Sequence, residues 1–319
     1  MSAPKTGTSS GLLDLITIVD NVPLDFEQNF SPYYRLYLAP DPRVHGYVHP
    51  NTVARLPWPS VFSIDDEKRE VVLAAAPDGT TLSAHANAAF QRAVDDAIDS
   101  KAFPTLNGLH SEHFLLVGAR EFVQIERFTS TLFGIATRGA HLTAYTRTPS
   151  GELRIWVARR NKTLFSYPGL LDSTVAGGVK ASDTPLDCIL AESTEEARLP
   201  ASLVASKVRA TGVITLANRN PRTELFHSEI LYVYDLELSG QGEEIPRPGD
   251  DDEVEEFVLM GCDEVKRRML AGEFKPNVCA VMVDFLVRHG EVTPEGEADY
   301  IEICTRLRRR LPVPTSSDM

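Results

Sequence analysis

The chain has 319 residues, 43% of them hydrophobic and 24% charged, the proportions of an ordinary globular protein with room for about two domains. Its net charge of −13 argues against a nucleic-acid backbone or an anionic membrane as partner, and no run approaches the ~20 apolar residues of a membrane-crossing helix. MSAPKTGTSS lacks the apolar core of a signal peptide, and Cys188, Cys262, Cys279 and Cys304 are too scattered for a zinc site or a disulfide framework, so a cytoplasmic protein with free thiols is expected.

The first ten residues are small and polar and read as a frayed end. LLDLITIVDNV reads as an apolar helix. SPYYRLYLAPDPRVHGYVHPNTVARLPWP is crowded with prolines and aromatics and reads as irregular connecting structure. Within it, His45 and His49 are four apart, but Gly46 and Pro50 oppose a helix that would align them as metal ligands. HANAAFQRAVDDAIDSKAF (85–103) predicts an amphipathic helix with Ala89, Ala93, Ile98 and Phe103 near one face.

After Phe128 the pattern changes. LTAYTRT and LRIWVARR read as strands joined by a Pro-Ser-Gly turn, and KVRATGVITLAN and EILYVYDLEL add two more. Between these pairs lies one clear helix, 185–198, entered from a glycine loop, which suggests an α/β or α+β core. GQGEEIPRPGDDDEVEEF (240–257) is an acidic loop. CDEVKRRMLAGEF and PNVCAVMVDFLVRHG predict helices, the second buried, and a last amphipathic helix is expected from Pro294. The basic RLRRRL at its end fits the favourable placement of cations at a helix C-terminus.

Helix 185–198 carries the chemistry. Thr184 is a good N-cap, Pro185 suits the first helical position, and Asp187 completes a capping box. At 100° per residue Leu186, Ile189, Leu190, Ser193 and Ala197 form one stripe, with Glu192, Glu195 and Glu196 on a second beside it. Their i, i+3, i+4 spacing brings three carboxylates within reach of one point above the helix, a self-repelling arrangement unless a cation is present. Such a cluster alone reads as a solvated acidic face. Just upstream, however, VAGGV places Gly177 and Gly178 where the backbone can approach a ligand, and hard oxygen donors suit Mg²⁺ or Mn²⁺.

At these residues the chain resembles the Nudix hydrolases. Starting from Gly177, their signature box aligns Asp183 with its first Glu, Ala191 with its Arg, and Glu192, Glu195 and Glu196 with its metal-binding glutamates. Arg198 stands where the box has a late Gly, and Leu199 fits its apolar end. ARRNKTLFSYPGLLDSTVAGGV, DDEVEEFVLM and FKPNVCAVMVDFLVRHGEVTPE extend the likeness to the thiamine-pyrophosphokinase-related Nudix proteins of fungi and plants. The N-terminal segment is similar to the domain that precedes theirs.

The resemblance implies a Nudix α/β/α sandwich with an additional N-terminal α+β domain, divided as an accessory region (1–128) and a Nudix domain with C-terminal helices (129–319). It implies Mg²⁺-dependent hydrolysis of a small organic diphosphate to a monophosphate and phosphate, with damaged or oxidised thiamine diphosphate the leading candidate. Prenyl or nucleotide-sugar diphosphates are alternatives, as is a module that binds without efficient hydrolysis. Glu192, Glu195, Glu196 and the Gly177 carbonyl would hold the metal, while Gly178, Arg159, Arg160 and Glu253 would meet the substrate. Trp156 and Tyr167 are pocket candidates by proximity. Ala191 removes an arginine that the family pairs with its box carboxylates, which puts full activity in question.

Overall fold

LLDLITIV forms the expected helix α1 (Leu12–Val19), burying Leu12, Leu15, Ile16 and Val19 on one side. The computed structural model describes residues 10–108 and 112–317, so nearly all of the end expected to be frayed lies outside the described residues. The proline-rich stretch that follows is regular, contrary to expectation. It supplies β1 (Tyr34–Leu38), β2 (Gly46–Val48) and α2 (Pro50–Arg55). Its prolines flank these elements or open a helix, where no ladder N–H is lost, and Leu36 and Leu38 of β1 are fully buried. His49 caps α2 by accepting the Asn51 N–H, and buried His45 pairs with Asp41.

Strands β3 (Phe62–Asp65) and β4 (Glu70–Leu73) complete a sheet of order β2-β1-β4-β3, with β1 and β4 parallel. Helix α3 (Leu82–Asp99) packs Ala86, Ala89, Phe90, Ala93, Val94 and Ala97 inward. Phe103 is also buried, though it lies beyond the helix end. A hairpin of β5 (His113–Leu115) and β6 (Gln124–Glu126) follows.

The second half is built on β7 (Ala136–Arg147), β8 (Leu153–Arg160), β9 (Leu171–Asp172) and β10 (Val175–Gly178). Helices α4 (Pro185–Ala197) and α5 (Ala201–Lys207) lead to β11 (Arg209–Arg219) and β12 (Phe226–Glu237), then to β13 (Val254–Gly261). The chain closes with α6 (Cys262–Leu270), α7 (Pro276–Arg288) and α8 (Tyr300–Arg306). The sheet order is β11-β12-β7-β8-β13, with β10 paired to β7 and β9 to β8. The pairing of β12 with β7 is parallel.

Period-2 alternation in the strands explains the layers. Leu153, Ile155, Val157, Leu231 and Val233 face a core shared with α1, α6, α7 and α8. Ala140, Leu142, Ala144, Tyr234 and Leu236 face α4 and α5. The result is a mixed sheet between helical layers, the α/β/α arrangement expected, with additional N-terminal α+β elements. By packing, α1 belongs to the larger core although it opens the chain. Phe26, Tyr33 and Tyr47 meet Phe226 where the two halves join, with the Phe26 and Phe226 rings stacked at 5.1 Å.

The last helix begins at Tyr300 rather than near Pro294, because Thr293–Glu297 is taken up by turns around Gly296. The basic run after it does more than favour a helix end. Arg309 pairs with buried Asp20 at 2.9 Å, Arg306 reaches the same carboxylate, and Arg308 pairs with buried Asp284 at 2.5 Å. All four cysteines are free. No helix among the described residues is long and apolar enough to cross a membrane.

Candidate active site on helix α4

The local sequence sets α4 as expected: Thr184 and Asp187 exchange both bonds of a capping box, with Pro185 in the first turn. The helix packs against β10, and Gly177 makes that approach possible. A Cβ at Gly177 would lie 2.3 Å from Glu192 Oε1 and 2.8 Å from Cys188 Sγ. Only a glycine leaves room for a carboxylate against the strand.

The buried side of α4 differs from the predicted stripe. It comprises Cys188, Ile189, Ser193, Glu196 and Ala197, while Leu186 is 38% exposed. Glu196 therefore turns inward, 6% exposed, and its Oε2 accepts the Ala176 N–H at 3.1 Å. Burial, and then the charge of Glu192, pushes the Glu196 carboxyl well above its ordinary range; the Ala176 N–H opposes the shift. Burial also drives Glu192 up to about 7, reinforced by Glu195, Glu253 and Glu112 and opposed by Lys180. Glu195 is exposed.

The three glutamates thus share a helix but not one converged donor set. Among the described residues no group of three His, Cys, Asp or Glu side chains is arranged to hold a metal ion. Single-face spacing on a helix did not anticipate that Glu196 would turn to a backbone N–H. The donor chemistry nevertheless fits a hard divalent cation: buried carboxylates repel one another beside a glycine strand, and protonation or a cation would relieve them.

The acidic loop is docked on this helix. Arg247 and Gly249 donate their N–H groups to the Ala197 and Glu196 carbonyls, both at 3.0 Å, satisfying two acceptors that a helix end otherwise leaves open. A Cβ at Gly249 would meet the Glu195 carbonyl oxygen at 1.6 Å, so this contact requires glycine. The loop brings Glu253 close enough for its charge to act on Glu192 and Glu196. Arg198 takes the left-handed cap position at φ 50° and pairs with Asp250.

Both arginines proposed for the substrate have protein partners. Arg159 donates to Glu256 Oε1 at 2.7 Å and to the Gly169 carbonyl. Arg160 donates to Asp172 Oδ2 at 3.1 Å and to the Ser166 carbonyl. Asp172 opens a buried polar layer that the sequence reading missed. Lys275 lies 3.5 Å from it, and His141 Nδ1 lies 3.0 Å from Ser173 Oγ. Burial would raise Asp172, but Lys275, Arg160 and His141 outweigh it and hold the carboxyl low. Burial and Lys275 drive His141 down to about 4. The available signal was one acid in the apolar run GLLDSTV.

Trp156 packs toward the α4 layer with its indole N–H buried and unpartnered, whereas Tyr167 is 39% exposed beside the 91% exposed Phe165. Two surface hollows, one about Ser202 and Glu243 and one about Gln91 and His113, contain none of these carboxylates.

The sequence model of the NUDIX domain matches residues 138–279, a span that holds β10, α4 and the acidic loop. The chain contains a Nudix domain. It is 33% identical over 322 residues to an uncharacterized protein of Saccharomyces cerevisiae, covering 95% of this chain and 92% of the yeast protein. It is 32% identical over 190 residues to Nudix hydrolase 20, chloroplastic, of Arabidopsis thaliana, covering 59% of this chain and spanning 49% of the plant protein's length. A solved structure from Deinococcus radiodurans aligns with 54% of this chain and 98% of its own, at 23% identity and a TM-score of 0.41. The Nudix match and the hydrolase relative support a hydrolase that acts on phosphoanhydride bonds.

Proposed function

We propose that this Nudix chain is a Mg²⁺-dependent diphosphatase that splits an organic diphosphate into a monophosphate and phosphate. A damaged or oxidised thiamine diphosphate is the leading substrate, in the cytoplasm. The observation that carries the reading is the carboxylate pair of half-buried Glu192 and buried Glu196, held against the Gly177 strand and raised above its ordinary range by burial and by neighbouring carboxylates. Mn²⁺ would serve in place of Mg²⁺.

In this reading Glu192, Glu195, Glu196 and the Gly177 carbonyl hold the metal. The bound ion neutralises the diphosphate and lowers the pKa of a bound water. A carboxylate of the cluster accepts the proton of the attacking water, and Glu253 extends the acidic wall. Gly178 makes room for the Phe114 ring and so shapes the wall beside the substrate. The ion pairs of Arg159 and Arg160 make them supports of this wall before they are phosphate ligands. Residues 1–128 form the accessory region, apart from α1, which packs into the larger core, and 129–319 the Nudix domain.

Ala191 in place of the box arginine, together with the unconverged glutamates, favours one second reading, a module that binds a diphosphate without turning it over. A panel of thiamine, oxidised-thiamine, prenyl and nucleoside diphosphates, assayed for phosphate release with and without Mg²⁺, separates the two. We expect metal-dependent release from at least one member and a loss of about 100-fold or more in Glu196→Gln. Thermal stabilisation by metal and diphosphate with no release anywhere would instead support the binding module.

A further inference from the structure

The arginines leave open which cation meets an incoming phosphate. Arg160 is committed to buried Asp172, and turning it away would leave that carboxylate to Lys275 at 3.5 Å, a costly exchange. Lys180 is placed differently. It follows the glycine strand directly, its side chain is 53% exposed, and it pairs with Glu112 at 3.4 Å. That separation is long for a charge-assisted hydrogen bond, and an exposed pair of this kind exchanges readily for a stronger ligand.

The backbone beneath Lys180 is fixed from two sides. Arg138 donates to the Lys180 carbonyl at 2.7 Å, and the Ala181 N–H donates to the His113 carbonyl at 2.8 Å. Phe114 of β5 bridges to Lys180 and packs on Gly178, where a Cβ would approach its ring to 2.8 Å. The N-terminal region thereby forms a wall beside the glycine strand. Glu112, just before β5, is the side chain from that wall that pairs with Lys180 through one oxygen while Arg127 holds the other at 2.8 Å. Lys180 in turn is the cation whose charge opposes the repulsion at Glu192. A firm backbone and a weakly held ammonium beside the metal-site carboxylates suit a group that swings onto an anion.

We propose that Lys180 is the phosphate-binding cation of this site and that Glu112 of the N-terminal region is its positioning residue. The inference rests on the diphosphate reading above and assigns the N-terminal region a part in that site.

The test uses the full chain, Mn²⁺ and methylenediphosphonate, whose P–C–P bridge resists hydrolysis, with binding followed by calorimetry. Lys180→Met should weaken binding of the Mn²⁺–diphosphonate complex about tenfold, and Lys180→Arg should stay within about threefold of the parent. Mn²⁺ alone should bind Lys180→Met at least as tightly as the parent, because a cation has left the carboxylate cluster. Glu112→Gln should weaken diphosphonate binding about threefold, although removing a negative charge by itself would favour an anion. In the Lys180→Met background the same change should have no such effect. Unchanged diphosphonate affinity in Lys180→Met, or a loss of Mn²⁺ affinity alongside it, overturns the assignment of Lys180. Equal effects of Glu112→Gln in both backgrounds overturn the role of Glu112. Because the readout is binding, an inactive substrate panel would overturn the diphosphatase reading and leave the Lys180 result standing or falling by itself.

Discussion

Two sets of buried acids lie on opposite layers of the same sheet, and they are treated in opposite ways. On the side of α1 and α7, each buried carboxylate has its cation: Asp20 has Arg309, Asp235 has Arg288 at 2.6 Å, and Asp284 has both Arg288 and Arg308. On the α4 side, Glu196 has one backbone N–H, and half-buried Glu192 has only the charge of Lys180 opposing its neighbours. Acids paired with buried cations hold a fold together. Acids kept high by burial, without a partner, are set up to meet something that arrives.

The largest effect should come from breaking the paired set. Asp20→Asn leaves Arg309, only 3% exposed, without its carboxylate, and stranding one member of a buried pair costs about 3–5 kcal/mol. Chemical denaturation of the variant should show that loss with no change in Mn²⁺ affinity. A loss below about 1 kcal/mol would mean that the C-terminal clamp is not what secures α1.

The unpaired set predicts the opposite sign. Glu192 titrates at about 7 in the folded chain against an ordinary 4.5, so its contribution to stability is full below ~4.5 and is lost as pH rises through ~7. The metal-free protein should therefore melt lower at pH 8 than at pH 5.5 by more than Glu192→Gln does. The difference should be on the order of 2 kcal/mol, and Mg²⁺ at pH 8 should restore it. Comparing against the variant removes His141, which is depressed to about 4 and acts the other way. Parallel pH profiles for the two proteins would show that Glu192 is solvated after all.

What was legible in the sequence divides along the same line. The capping box, the strand alternation and Gly177 are local signals, and each emerged where spacing placed it. The Asp172–Arg160–Lys275 layer joins Asp172 to Arg160, 12 positions before it, and to Lys275, 103 positions after it, and no local period marks such a pairing. The inward turn of Glu196 also escaped a helical wheel, because it depends on an N–H offered by a neighbouring strand. β1 was hidden for a different reason: its flanking prolines read as breakers, yet they lie where a strand does not need their N–H. Lys180 carried no motif. Its place follows from a contact with β5 of the accessory region.

The smallest effect tests the end of α4, where this chain departs from the family's glycine. Arg198 holds φ 50°, a conformation that favours glycine by about 1 kcal/mol. Its compensation is a pair with Asp250, whose side chain is 92% exposed, and exposed pairs contribute about 0.2–1 kcal/mol. Arg198→Gly should therefore stabilise the chain slightly, by about 0.5 kcal/mol, and Asp250→Ala alone should be nearly neutral. Thermal melts of the two variants check the balance. The outcome bears on the site as well as on the helix, because the loop that carries Asp250 also caps the Glu196 and Ala197 carbonyls and presents Glu253 to the cluster. If Arg198→Gly loses stability instead, the ion pair is what docks the acidic loop. Amide exchange at Arg247 and Gly249 should then quicken in both variants, and the arginine standing in the glycine position would belong to the architecture of the site.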